Sequence, residues 1–455
     1  MRISQLDGRR VALWGFGREG RAAHAAIRRR LPEQPLTLFC PEVEVADACA
    51  LGDSLLDVRS DITPVALSEF DVIVKSPGIS PYREPATTVE ARLTSGTALW
   101  FAEHLPGLKL CVTGTKGKST TTALIAHLLR RRGLAVALAG NIGLPLLELL
   151  DPPLLPAVWA IELSSYQTCD AQAPDVALLL NLYPEHMDWH GSEQRYFDDK
   201  LKLVTRATPR CVVLNHLDPR LREFGRHLPG ARWFGRDDGW HLRGDTLYRA
   251  DEAVFDTRAV PLPGAHNRLN LCAALAAIEA LGFDARPLSK HAESFTALPH
   301  RLQTLGTRDG ITYVNDSIST TPHASIAALE CFRGRPTVIL VGGFERGLPW
   351  AEFADHLRQQ PPRAVIVRGQ NGARIAAEIE HAAKAAGTEL LRIGDLGEAV
   401  ATARQRLGQD GVVLLSPGAP SFPEFRDYTE RGRAFAGAAG FDAQRISRIP
   451  GLGIA

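Results

Sequence analysis

Between Lys109 and Thr122 the chain reads KLCVTGTKGKSTTT, and these residue types fit the holding of a nucleoside triphosphate. Gly114, Thr115, Lys116 and Gly117 make a loop whose glycines let backbone N–H groups turn inward onto phosphate oxygens. Lys118 adds a full charge for the outer phosphates, and Ser119 or Thr120 a hydroxyl for Mg²⁺. A plain strand-turn-helix corner would have no packing use for a lysine and two hydroxyls directly after the second glycine. Eight of the 52 basic residues are lysines, so a lysine here carries weight. Glu162 lies in the apolar run of VWAIELSSYQ, where a carboxylate is costly unless paired or bound to metal. Beside a phosphate loop a Mg²⁺ role outweighs a hidden salt bridge. His186 and Asp188, in NLYPEHMDWH, sit at a strand's carboxyl end, the usual place for sites in such sheets. A lone histidine there is more often an ordinary loop residue. Lys200, in YFDDK on an amphipathic helix, reads by itself as solvated surface. Asn141, in GNIG, is either turn chemistry or a substrate contact. Asn267 and Asn270 share one helix face, with helix capping by Asn267 as the alternative.

These residues need strands and helices to hold them. Leu110–Val112 reads as a strand running into the phosphate loop, and a helical pattern begins at Ala123. Ala135–Ala139, Val158–Glu162 and Val176–Leu180 supply further strands. Upstream, Val11–Trp14 is a strand followed by Gly15-Phe16-Gly17-Arg18-Glu19-Gly20 and a helix over Arg21–Arg30. GxGxxG alone is a weak signal. The acid expected to hold an NAD ribose is here Glu42, behind Pro41. A nucleotide-sugar diphosphate on the helix N-terminus therefore fits better than NAD. The strand Asp71–Val74 ends in Ser76-Pro77-Gly78, either a type II turn or a ligand-facing edge. Beyond Pro299, strands at Tyr313–Asn315, Val338–Val341, Ala364–Val367 and Val412–Leu415 alternate with helices. The expected fold class is α/β in three domains: a Rossmann-like domain over 1–106, a central P-loop ATPase-type parallel sheet over 107–299, and a Rossmann-like domain over 300–455.

Composition narrows the class of function. A net charge of +1 over 455 residues argues against binding nucleic acid or a membrane surface through bulk charge. Seven cysteines show no CxxC or metal-ligand spacing, and Cys111 and Cys211 read as reduced core residues. The N-terminus lacks a signal-peptide apolar region, and no apolar stretch approaches the roughly 20 residues of a membrane span. The default is a cytoplasmic enzyme.

Taken in order, GTKGKST, ELSSYQ, NLYPEHMDWH with YFDDK, HNRLN, LPHR, NDS and LSPGAPSF resemble the Mur ligases of peptidoglycan synthesis. The resemblance covers essentially the whole chain and is strongest to the branch that adds glutamate to UDP-N-acetylmuramoyl-L-alanine. It implies three domains that bind UDP-sugar, ATP and amino acid in turn, with ATP and Mg²⁺ as cofactors, an acyl-phosphate intermediate, and a monomer. By resemblance, Lys118, Glu162, His186 and Lys200 are catalytic. Lys118 and the amides from Gly114 to Thr120 hold phosphates. Ser119 and Glu162 ligate one magnesium, while His186 serves a second together with carbamylated Lys200. Asn267, Asn270, Arg301 and Asp316 contact ATP. The turns Gly17-Arg18-Glu19-Gly20 and Ser76-Pro77-Gly78, with Asn141 and Ser164, face the UDP-sugar. Thr320, Arg346, Ser421 and Tyr428 fall where the amino acid is held.

The departures from the family pattern cluster in the third domain. Ile318 and Arg346 stand where the family commonly has lysine. Phe344-Glu345 replaces a small acidic-glycine turn, Gly418-Ala419-Pro420 replaces an ACAS-like stretch, and Phe422-Pro423 is unusual. In the first domain, the strand Leu36–Cys40 also lacks the Asp-Thr-Arg-like end used near uracil. An arginine grips a carboxylate in a fork that lysine lacks. These changes suggest a differently oriented amino acid. The chain resembles a subgroup of the family that adds L-glutamate, and that resemblance makes L-glutamate the expectation, with D-glutamate as the alternative. Folylpolyglutamate synthase, a rival sharing the ATP core, lacks the N-terminal domain. A NAD-dependent oxidoreductase would rest on GxGxxG alone. A catalytically silent nucleotide-binding regulator is disfavoured by the presence of Lys118, Glu162 and His186.

Overall fold

In the computed structural model, which describes residues 1–449 and 451–454, short apolar runs become buried parallel strands, as two-sided burial between helices requires. The first sheet contains β1 (Val11–Trp14), β2 (Leu36–Phe39), β3 (Leu56–Arg59), β4 (Val72–Lys75) and β5 (Leu93–Thr94), all parallel, in the order β3-β2-β1-β4-β5. Trp14 pairs with Lys75, so the loops after β1 and β4 leave the same edge side by side. Helix α1 covers Arg18–Arg30, starting three residues before the expected Arg21. The glycine at position 20 allows this: a Cβ there would lie 2.0 Å from the Gly15 carbonyl oxygen.

The second sheet is built on β6 (Leu108–Thr113), β7 (Val136–Gly140), β8 (Val158–Glu162), β9 (Val176–Leu179), β10 (Cys211–Asn215) and β11 (Arg232–Phe234). They run parallel, in the order β11-β10-β9-β6-β8-β7. Beyond β11 the sheet continues through β12 (Trp240–Arg243), β13 (Thr246–Arg249) and β14 (Glu252–Asp256), an antiparallel meander that sequence reading did not anticipate. Its strands are short and mostly half-exposed, with little apolar patterning to announce them. Two helices carry the site residues of this sheet, α2 (Lys118–Arg131) and α3 (Glu193–Thr205). A third, α4, spans Ala265–Ala280.

The third sheet holds β15 (Gln303–Arg308), β16 (Ile311–Asn315), β17 (Thr337–Val341), β18 (Ala364–Val367), β19 (Glu389–Arg392) and β20 (Gly411–Leu415) in the order β15-β16-β20-β17-β18-β19. Only β15 is antiparallel to its neighbour. Helix α5 (Tyr428–Ala438) follows β20. The tail forms β21 (Gly453–Ile454), antiparallel to β7 in the second sheet.

The chain divides into two compact units. The first comprises residues 1–257, residues 269–292 and the tail from Gly451, and the second comprises residues 258–268 and the stretch from Glu293 up to that tail. Cys111 is buried as expected, whereas Cys211 is half-buried at the start of β10, and all seven cysteines are free. Among the described residues, no helix is long and apolar enough to cross a membrane.

Candidate active site

In the first unit β6 delivers the phosphate loop. Gly117 precedes α2 with φ +86°, and a Cβ there would meet Asn270 Oδ1 at 2.6 Å, so both conformation and space call for glycine. The loop is latched to the segment after β9. Thr115 N donates to Asn181 O (2.9 Å), Lys116 N donates to Asn181 Oδ1 (2.8 Å), and Tyr183 N donates to Thr115 Oγ1 (2.9 Å). The Thr115 hydroxyl also meets Tyr196 OH at 2.9 Å. Lys116 forms an ion pair with Glu185. Lys118 Nζ donates to the carbonyls of Gly114 and Thr115, each at 2.9 Å, and so already spans the loop it serves. Ser119 is buried in the first turn of α2, next to Thr120.

Glu162 ends β8 and pairs in register with Val112 on β6, which sets its carboxylate at the foot of the phosphate loop. It is 1% exposed. Its Oε1 accepts from Asn141 Nδ2 at 2.9 Å, while Oε2 is buried without a hydrogen-bond partner. A buried carboxylate oxygen left unpaired is expensive, and a hard cation is its natural complement. Among the described residues no three His, Cys, Asp or Glu side chains gather into a metal cage. One carboxylate and the Ser119 hydroxyl therefore suit Mg²⁺, which is bound largely through phosphates and water. Asn141 is committed to Glu162. Arg18, by contrast, donates to Gly143 O (3.1 Å) in the same GNIG turn.

Lys200, which reads as solvated surface by sequence alone, is 2% exposed on α3. Tyr196, Phe197 and Asp199 on the same helix are buried with it, and sequence reading missed this because the partner of its amine lies far away in the chain. Its Nζ donates to Gly114 O at 2.9 Å, the carbonyl that Lys118 also uses. Burial, followed by the Lys118 charge, holds Lys200 well below the usual lysine range and favours the neutral, nucleophilic amine. His186 adopts a left-handed backbone (φ +57°) beside Glu185 and is half-exposed. Burial, with help from Lys200 and Lys118 and against Glu185, lowers its pKa and keeps the imidazole neutral, as a ligand must be.

Asp199, next to Lys200, was not singled out by sequence. It accepts from Tyr82 OH, Lys202 Nζ and the His190 ring, each at 2.6 Å, and His190 Nε2 meets Ser165 Oγ at 3.0 Å. The paired acids Asp198-Asp199 in YFDDK were the available signal. This network and Trp189 tie down the loop after β4: Trp189 Nε1 donates to Pro77 O (3.1 Å), and Ser80 Oγ donates to Trp189 O (2.6 Å). Ser76 Oγ donates to Gly15 O (3.3 Å), bringing the SPG and GxGxxG turns together. Glu19, in the first turn of α1, has its pKa pushed up to about 7 by burial. Ser164 Oγ donates to Gln167 Oε1 at 2.9 Å.

Asn270, buried, belongs to the first unit. Asn267, counted with the second, donates to Pro263 O at 2.8 Å from inside the first turn of α4 rather than from its cap. In the second unit Asp316 is buried. It accepts from Leu302 N (3.1 Å) and Ser416 Oγ (2.8 Å), and burial raises its pKa to about 7 despite the nearby charge of Arg301. Thr320, Arg346 and Ser421 sit on the loops after β16, β17 and β20, three adjacent strands, and Tyr428 opens α5. Sequence reading missed Arg431, which is 1% exposed and donates to Ser317 O (2.7 Å), Ala419 O (3.0 Å) and Ser317 Oγ (3.1 Å). An arginine on a helix one turn past an acidic cap reads as surface.

Comparison with known proteins places this geometry. The Mur ligase middle domain matches residues 112–278, and the Mur ligase glutamate ligase domain matches residues 300–418. The chain is 57% identical, over the full length of both, to a protein of Xanthomonas campestris pv. campestris named UDP-N-acetylmuramoyl-L-alanine--L-glutamate ligase. The chain belongs to the Mur ligase family. This Mur ligase is an ATP-dependent acid–amino-acid ligase of peptidoglycan synthesis. A Micromonospora protein of the same name is 39% identical, covering 96% of this chain and 98% of its own. The fold matches the UDP-N-acetylmuramate-alanine ligase of Thermotoga maritima with a TM-score of 0.59 at 20% identity, covering 95% and 99% of the two chains. It also matches the T. maritima MurF ligase, solved in complex with ADP, with a TM-score of 0.58 at 17% identity, covering 90% and 95%.

Proposed function

We propose that the enzyme joins L-glutamate to UDP-N-acetylmuramoyl-L-alanine in the cytoplasm, consuming ATP. The observation that carries this reading is full-length identity of 57% to a ligase of that name, combined with intact nucleotide machinery. The acceptor carboxylate attacks the γ-phosphorus of ATP and displaces ADP, giving an acyl phosphate. The glutamate amine then attacks the acyl carbon, phosphate leaves, and the amine proton is lost. Two anions must meet in the first step, so preorganised positive charge carries much of the catalysis. Lys118 and the N–H groups of the phosphate loop neutralise the triphosphate. Ser119 and Glu162 would hold Mg²⁺, which when bound supplies Lewis-acid stabilisation of phosphoryl charge. His186 and Lys200 would hold a second ion. The neutral Lys200 amine is able to add to CO₂, losing a proton and becoming a carbamate anion. That change would turn a buried neutral amine into an anionic metal ligand.

The UDP-sugar is assigned to the GxGxxG and SPG turns, and the glutamate to Thr320, Arg346, Ser421 and Tyr428. The test is purified enzyme with UDP-N-acetylmuramoyl-L-alanine, ATP and Mg²⁺, and each glutamate enantiomer separately, with product read by mass and by phosphate release. Product with L-glutamate is expected. Product with D-glutamate alone would overturn the enantiomer assignment.

A further inference from the structure

The residues that depart from the family pattern converge on one place in the second unit. Phe344 and Phe422 sit on the loops after β17 and β20, with ring centroids 5.6 Å apart in an edge contact at 64°. Phe422 is 59% exposed, and Phe344 is partly exposed. An exposed aromatic pair at the carboxyl edge of a parallel sheet stands where ligands of such sheets bind, and it has no role in the core below.

The pair stands on a rigid base. Phe344 N donates to Pro420 O (2.9 Å), and Gly342 N donates to Pro417 O (2.7 Å), zipping the two loops together. A Cβ on Gly343 would lie 2.2 Å from Pro420 O and 3.1 Å from Arg431 Nη1, so the loops are in close contact. Arg431 also bridges the Ser317 and Ala419 carbonyls beneath them. Charge is arranged beside the pair as well. Glu345 gives both carboxylate oxygens to Arg374, each at 2.8 Å, and is thereby kept from neutralising the adjacent, exposed Arg346. An apolar wall with a cation in the same loop and the Ser421 hydroxyl on the facing one suits a ligand with methylenes between two carboxylates.

We infer that Phe344 and Phe422 form the specificity-determining wall of the amino-acid site, against which the glutamate methylenes lie and which fixes the face of Cα that presents the amine. This rests on the glutamate-ligase reading above. Reading chirality takes fixed points on more than one side of Cα, and a rigid wall supplies what charged groups alone lack.

The experiment compares wild type with Phe344→Ala and Phe422→Ala, measuring kcat/KM for L- and D-glutamate with the KM for ATP as a control. The ratio between the preferred and the rejected enantiomer is expected to fall roughly tenfold or more, the scale of a pocket-shape contact, with the KM for ATP within about twofold. Phe422→Leu, which keeps apolar bulk and removes the ring edge, serves if an alanine variant fails to fold, and a smaller fall in the same direction is expected. An unchanged ratio in every folded variant overturns the wall. A wild type that uses only D-glutamate overturns the enantiomer proposed above, while a shifted ratio in the variants would still uphold the wall.

Discussion

Asn141→Ala separates two roles for one residue. Sequence resemblance assigns Asn141 to the UDP-sugar, whereas the structure commits its amide to Glu162 Oε1 at 2.9 Å. A hydrogen bond to a charged partner contributes about 1.5–3 kcal/mol. Glu162 is 1% exposed and its other oxygen is already unpaired, so no water readily replaces the lost donor. The carboxylate would then lose its orientation. The expected cost is roughly 10- to 150-fold in turnover, with a matching rise in the Mg²⁺ concentration needed for half-maximal rate. The KM for the UDP-sugar should change little. The assay titrates Mg²⁺ at saturating ATP and then the UDP-sugar at saturating Mg²⁺. A rise confined to the KM of the UDP-sugar, with the Mg²⁺ dependence unmoved, would refute the placement of Asn141 behind Glu162.

Lys200→Ala should abolish measurable ligation and be partly rescued by formate or acetate, which replace a carboxylate near the Lys118 side of the site. No rescue at any concentration would leave the carbamate without support. Gly117→Ala should weaken ATP binding and lower the melting temperature, because a Cβ at φ +86° meets Asn270 Oδ1 at 2.6 Å. Asp316, with its pKa raised to about 7 by burial, makes the second unit pH-sensitive. Its native form binds a proton more tightly than the unfolded chain does, so that stabilisation is full below roughly pH 4 and is lost as pH rises through 7. Asp316→Asn should flatten this slope, worth about 4 kcal/mol at most, in denaturant melts between pH 4 and 8. An equally steep slope in the variant would remove Asp316 as its cause.

The nucleotide half of the site was legible because it is local. Gly114 to Thr120 lie on one turn, and the backbone geometry that makes a phosphate cradle follows from glycines at fixed positions. Glu162 stood out for a different reason: a lone acid in an apolar strand announces an unusual partner, and its Oε2 is buried without a hydrogen-bond partner. Lys200 was not legible as a buried residue. Its amine is met by Gly114 O on the phosphate loop, 86 residues away, and a helical period cannot show such a contact. Asp199 and His190 were missed on the same grounds, since Ser165 and Tyr82 reach them from distant segments. The meander β12–β14 was missed because half-exposed strands carry little hydrophobic alternation.

The same distinction explains where substrate choice resides. The phosphate loop depends on backbone shape, and few substitutions there leave a cradle, so it holds a fixed chemistry. The loops after β16, β17 and β20 leave neighbouring strands of one sheet, and their backbones are joined by Phe344 to Pro420 and by Arg431 to Ser317 and Ala419. That skeleton is carried by main-chain carbonyls and one buried guanidinium, so it tolerates new side chains at Ile318, Phe344, Arg346 and Phe422. Changes at these positions reshape a pocket without disturbing the strands that present it. On the proposed reading, one acyl-phosphate chemistry stays with the phosphate loop while the loops of the second unit change which amine is admitted, and the Phe344–Phe422 pair is the proposed place of that change.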